Sequence, residues 1–298
     1  MTAPRQVLEG STYLVTRRCS ERRFFLRPSR ETTEIFGYIL AVMSERYGIL
    51  LHAFCVLSNH VHIVLTDPRA RLPDFHRDLD ALAARAVNCT LGRWEAFWER
   101  DSYSAVRLET PETVVEKMVC VLANPVAAGL VRHGSEWPGL WSDPRQIGRG
   151  GIEVERPEKF FRAKGPLPVV ARLQLHAPSG FDADALVPEL VHQLEHAENR
   201  AAAELAGEGR SFLGVSRVLA QKAYGRPTAR EPHRSLSPRV ATRNKWKRIE
   251  ALLRVADFRS AYRAALEDWR AGVRDAVFPL GTWLMRIRHC VRCGPLPV

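Results

Sequence analysis

Two apolar runs separated by a polar turn constrain this chain more than any other feature of it. Gly48-Ile-Leu-Leu-His-Ala-Phe-Cys-Val-Leu57 has the length and composition of a buried strand, Ser58-Asn59 reads as a turn, and Val61-His-Ile-Val-Leu65 as the antiparallel partner. His60 and His62 open that second strand. Side chains at i and i+2 of a strand share a face, so both imidazoles project from one spot on one side of a sheet. Paired strand imidazoles either pack as hydrogen-bonded residues or ligate a metal, and the pair alone leaves both readings open.

The flanking segments supply a sheet and its cover. Ser11–Arg18 predicts an opening strand, and the spacing of Ile35, Ile39, Val42 and Met43 predicts a helix over 30–47. A second amphipathic helix is expected from Leu72 to Leu91 and a strand from Ser104 to Leu108. A third helix follows from Glu112 to Leu122, capped by Thr110 or Thr113 and stopped at Asn124-Pro125. The order β-α-β-β-α-β-α, without crossover spacing between all neighbouring strands, indicates an α+β domain with an antiparallel sheet. Residues 134–168 read as a loop-rich connection and Pro188 to Leu205 as a helix. Further helices are expected near Leu213–Tyr224, Ala241–Val255 and Phe258–Ala271, with Gly225–Pro238 as an extended linker.

Charge divides the chain. Residues 207–298 hold 19 Lys/Arg against 7 Asp/Glu, whereas residues 1–206 hold 25 against 26, so the whole excess of the +11 net charge lies in the last third. Such asymmetry is the electrostatic footprint of a polyanion-binding module or, more plainly, a solvated basic surface. Interleaving of the arginines with Tyr224, Trp246, Tyr262 and Trp269 favours nucleic acid. No run approaches the ~18 apolar residues of a membrane span and no secretory leader opens the chain, which makes the cytoplasm the expected location. The six cysteines are scattered, unlike a disulfide framework, and Cys290-Val-Arg-Cys293 lacks the second pair of a zinc site.

A strand ending at Arg17-Arg18, then Ser58-Asn-His-Val-His-Ile-Val-Leu65, Phe97-Trp-Glu99, Asn124-Pro-Val-Ala-Ala-Gly-Leu-Val131 and Trp137-Pro-Gly-Leu-Trp141-Ser follow one another over residues 8–145. In that order and at those separations they resemble the single-tyrosine HUH transposases, particularly the branch associated with repetitive extragenic palindromes. The resemblance implies a ferredoxin- or RRM-like HUH-endonuclease domain over 8–145, followed by a connector with a helix (146–206) and a basic helical region (207–298). It also implies an activity: metal-dependent nicking and strand transfer on hairpin or single-stranded DNA, commonly by a homodimer. Transferred residue by residue, His60, His62 and Asn124 match the ligands of Mg²⁺ or Mn²⁺. Arg17 and Arg18, at the end of the first strand, are the candidate DNA contacts.

One position departs from the family. The nucleophilic tyrosine of its Tyr-x-x-x-Asn pattern is replaced here by Cys120, and no tyrosine occurs between Ser104 and Ala223. A thiol is several ångströms shorter than a phenol, and within Met118-Val-Cys-Val-Leu122 Cys120 reads as a small buried residue. Tyr103 would have to swing in from another element. Impaired strand transfer, hydrolysis by water or through Cys120, and a domesticated DNA-binding regulator without nuclease activity therefore stand as alternative outcomes.

Overall fold

The structure, a computed structural model, describes residues 4–100, 103–228 and 238–295. In chain order its elements are β1 (Ser11–Arg18), α1 (Arg30–Tyr47), β2 (Leu50–Leu57), β3 (His60–Asp67), α2 (Leu72–Thr90), β4 (Ser104–Leu108), α3 (Pro111–Leu122) and the short α4 (Asn124–Ala127). There follow β5 (Ile152–Glu155), β6 (Val170–Leu173), α5 (Ala183–Gly207), α6 (Val215–Leu219), β7 (Val240–Ala241), α7 (Lys245–Arg270), β8 (Val277–Pro279), α8 (Leu284–His289) and β9 (Arg292–Gly294).

The main sheet has the order β2-β3-β1-β4-β7, antiparallel except for the β4–β7 pair. Its first four strands, with α1 and α2 as the crossings, form the split βαβ arrangement, an α+β fold as expected. Local chemistry sets the helix limits. Ser29 caps α1 by accepting from Thr32 N at 3.1 Å, and Gly48 ends it in the left-handed region at φ 66°. Thr110 caps α3, with Pro111 in the first turn where no N–H is needed.

Strand alternation assigns the faces. Val15, Arg17, Val61 and Ile63 lie with Phe36 of α1 and His76, Leu79 and Asp80 of α2. The alternate residues, Thr16, His60, His62 and Val64, face the other way, and α3 crosses β2 and β3 on that side. Val64 and Cys55 are fully buried beneath that cover.

Neither sheet edge is left open. On the β2 side, Val56 N donates to Leu140 O and Ser142 N to Phe54 O. On the β4 side, Arg107 N donates to Arg239 O at 2.8 Å, and β7 runs parallel along the strand. The basic C-terminal region therefore contributes to the same sheet as the histidines. It also carries a small core of its own, Ala265, Phe278, Met285 and Val291 under Tyr262 and Trp269.

Several sequence expectations are corrected. The two helices expected at 241–255 and 258–271 are one, α7, because no glycine or proline interrupts Val255–Phe258; only the hydrophobic phase slips there. Residues 134–168 are less irregular than expected, since β5 lies within them and pairs with β6. The helix expected at 213–224 shrinks to Val215–Leu219, while α5 starts upstream of Pro188 because Asp182 caps it by accepting from Ala185 N. Most of the expected linker, residues 229–237, lies outside the described residues. No helix among the described residues is long and apolar enough to cross a membrane.

Candidate metal and nucleic-acid site

The hairpin between β2 and β3 delivers the two histidines as alternation requires. His60 opposes Arg18 of β1 and Leu57 of β2, and His62 opposes Thr16 and Cys55. Directly opposed residues of an antiparallel pair share a face, so Arg18 and Thr16 stand beside the imidazoles. The two rings meet edge to face with centroids 4.7 Å apart.

Each ring is held through Nδ1. Asn59 Nδ2 donates to Arg22 O at 3.3 Å, which leaves Asn59 Oδ1 to accept from His60 Nδ1–H at 2.6 Å. His62 Nδ1 lies 2.8 Å from the Thr16 hydroxyl. In this arrangement the lone pair of His60 resides on Nε2, and the Nε2 atoms of both rings make no hydrogen bond among the described residues. Such an outer contact orients a histidine for metal ligation. Electrostatics agrees: burial pushes His60 well below the ordinary histidine range, with His62, Arg18 and Arg22 adding to the effect. Burial and Arg18 lower His62 to about 4. Both rings are neutral at pH 7, the form that ligates.

The turn leading out of β1 is strained against this hairpin. Glu21 and Arg22 are consecutive non-glycine residues in the left-handed region, φ 52° and 58°. Each costs on the order of 1–2 kcal/mol. Cys19 N donates to Asn59 O, and Asn59 holds the Arg22 carbonyl, so the histidine turn and the strained turn are joined. A further tie comes from the C-terminal half: the Ser58 hydroxyl donates to Gln221 Oε1 at 2.5 Å, and Phe24 N to Gly225 O at 2.9 Å. Sequence reasoning missed this contact, whose partners lie 163 residues apart.

The remaining candidates are distributed as follows. Asn124 opens α4 immediately after α3. Cys120 is exposed, the sole exposed position in Met118–Leu122, which corrects the expectation of a buried residue; its helical phase turns it away from Val119 and Val121, which pack inward. Arg17 points to the opposite face from Arg18, with its Nε 3.3 Å from Asp80 and its guanidinium 5.6 Å from the Trp98 ring centroid. Tyr103 is also on that opposite face, stacked on His76 at 4.1 Å and pushed up to about 12 by burial.

No group of three His, Cys, Asp or Glu side chains gathers among the described residues. Two neutral imidazoles nevertheless form a donor pair that further oxygen donors would complete around a divalent ion.

No family model matches the chain, and no curated protein matches it. Among solved structures it is similar to a REP-associated tyrosine transposase bound to a REP hairpin, at 16% identity and a TM-score of 0.42 over 58% of this chain and 98% of that one. It is also similar to a presumed transposase of Deinococcus radiodurans R1, at 22% identity and a TM-score of 0.28 over 36% of this chain and 85% of that one. Similarity at this distance leaves the function to be argued from the residues of this chain.

Proposed function

We propose that this is a transposase-type DNA-binding protein that acts on hairpin or single-stranded DNA, with a divalent-metal site for nicking and an altered nucleophile. The observation that carries the reading is the pair of neutral imidazoles on one sheet face, each oriented through Nδ1, with Arg18 beside them. His60, His62 and Asn124 would hold Mg²⁺ or Mn²⁺, which when bound polarises a phosphodiester and stabilises its leaving oxygen. Arg18 offers a permanent cation to a phosphate approaching that face. Asn59 and Thr16 hold the imidazoles through Nδ1.

Cys120 decides how far such a centre proceeds. An exposed thiol one helical turn before Asn124 stands where the resembled family carries its tyrosine, but it is shorter, and a covalent strand-transfer step loses reach. This favours a second reading, a DNA-binding regulator without nuclease activity, in which the same fold binds but does not cut.

The test is cleavage of a labelled hairpin-bearing single strand with Mn²⁺ by the parent protein, Cys120→Tyr, and Cys120→Tyr combined with His60→Ala. The proposal expects cleavage and a covalent protein–DNA adduct with Cys120→Tyr, both lost when His60 is removed. Binding without cleavage by all three establishes the regulator reading, and no preference for hairpin over random single strands overturns both.

A further inference from the structure

The opposite face of the same sheet contains a cavity of about 840 Å³, within the range of small-molecule sites. It lies between the sheet, the start of α2 and the C-terminal α7. Six arginines line it: Arg5, Arg107, Arg239, Arg259, Arg263 and Arg270. Among the described residues no aspartate or glutamate does so. A concave surface with one sign of charge and low-dielectric walls concentrates an ion of the other sign.

The rest of the lining is apolar and aromatic. Tyr13 and Tyr103 come from the sheet side and Phe258 and Tyr262 from α7. The Arg5 guanidinium lies 4.5 Å from the Tyr103 ring centroid, and Arg5 also donates to the Tyr103 carbonyl. Three buried donors in the wall, Tyr13 Oη, Arg259 Nε and Trp283 Nε1, have no hydrogen-bond partner among the described residues. Buried donors without partners are uncommon in folded proteins, and a ligand acceptor is one remedy. Arg107 is braced by Glu109 at 2.6 Å, and Glu109 also accepts from Arg254. Burial and the neighbouring charges of Arg5 and Arg259 lower the basicity of Arg239, the electrostatic mark of crowded cations.

We propose that this cavity binds a nucleotide, with its phosphate on the arginines around Arg259 and its base against the aromatic rings. Arginine forks match phosphate oxygens, and ring faces stack any base, so the combination selects a phosphorylated nucleoside over a bare anion or a bare base. The nucleotide has two sources, a free mononucleotide or the end of a single strand. The inference stands apart from the histidine face and involves no metal.

A 3′-labelled octathymidylate bearing a 5′ phosphate, titrated in EDTA against the full chain, provides the readout by fluorescence anisotropy. Competitors are thymidine monophosphate, thymidine and inorganic phosphate. Binding displaced by thymidine monophosphate but not by the other two supports the proposal with a free nucleotide as ligand. Displacement only by an unlabelled 5′-phosphorylated strand supports it with a strand end. Arg259→Ala and Tyr262→Ala are each expected to weaken binding about tenfold, and Arg259→Ala to reduce the salt slope by about 0.7 per lost phosphate contact.

Arg263→Ala, on the exposed face of α7, gives a second variant if Arg259→Ala unfolds. Inorganic phosphate competing as well as thymidine monophosphate, no binding in EDTA, or cavity variants binding like the parent would each overturn the proposal. Mn²⁺-dependent cleavage reads the histidine face separately, so failure of one site does not decide the other.

Discussion

The two faces of the central sheet are built by different rules. The histidine face is local: a hairpin places His60 and His62 two residues apart, and the neighbouring strand adds Thr16 and Arg18 by register. The arginine face is assembled from distant parts, with Arg5 near the start of the chain, Arg107 at β4, and Arg239, Arg259 and Arg263 from the last fifth. The first face presents neutral nitrogen donors suited to a metal, the second permanent cations suited to a phosphate. One sheet thus carries two chemically distinct faces, one of neutral imidazoles and one of permanent cations.

The largest effect expected to break this comparison is on the metal. His60→Ala or His62→Ala should abolish measurable Mn²⁺ binding by calorimetry while leaving metal-free oligonucleotide binding unchanged, since only one face is touched. Equal losses on both faces would show that they are not independent.

Next comes pH. His52 is buried, with Nδ1 2.8 Å from His176 O and Nε2 2.7 Å from the Thr66 hydroxyl, and burial lowers it to about 4. Above the ordinary histidine value near ~6.5 both folded and unfolded chains carry it neutral, and it imposes no penalty. As pH falls from there toward 4 the unfolded chain gains the proton first, so stability declines, by about 3 kcal/mol once both forms are protonated. Denaturant melts across that window should show the loss, and His52→Gln should flatten this part of it.

A smaller effect sharpens the account of the histidine face. Asn59→Ala removes the acceptor that orients His60 and releases the Arg22 carbonyl, and should weaken Mn²⁺ binding by about tenfold or more without removing a ligand. The smallest concerns the tie between the two halves of the chain. Gln221→Ala leaves the buried Ser58 hydroxyl without its acceptor and should cost about 1 kcal/mol, read as a lowered denaturation midpoint at unchanged slope.

The sequence made some of this legible and hid the rest for identifiable reasons. α1 was readable to its ends because Ser29 and Gly48 are local stop signals. The hairpin was readable because alternation and a polar turn are local too. α7 runs through the break expected from its sequence because a helix tolerates a slipped hydrophobic phase when one face packs on a small separate core. Cys120 departs from expectation because four apolar neighbours suggest burial, while a helix still turns one position in such a run to solvent. Arg17 and Arg18 look equivalent in sequence, yet alternation places them on opposite faces.

By itself, the amino-acid order determined the elements from β1 to α3, their α+β order, the histidine pair and the concentration of charge in the last third. Each depends on chemistry within a few residues. Only the tertiary structure decided what those elements meet: that β7 closes the β4 edge, that Gln221 clasps the histidine turn, and that arginines from both ends of the chain converge on one cavity. Those contacts join residues more than a hundred positions apart, and they follow from how faces are buried together, which no local pattern encodes.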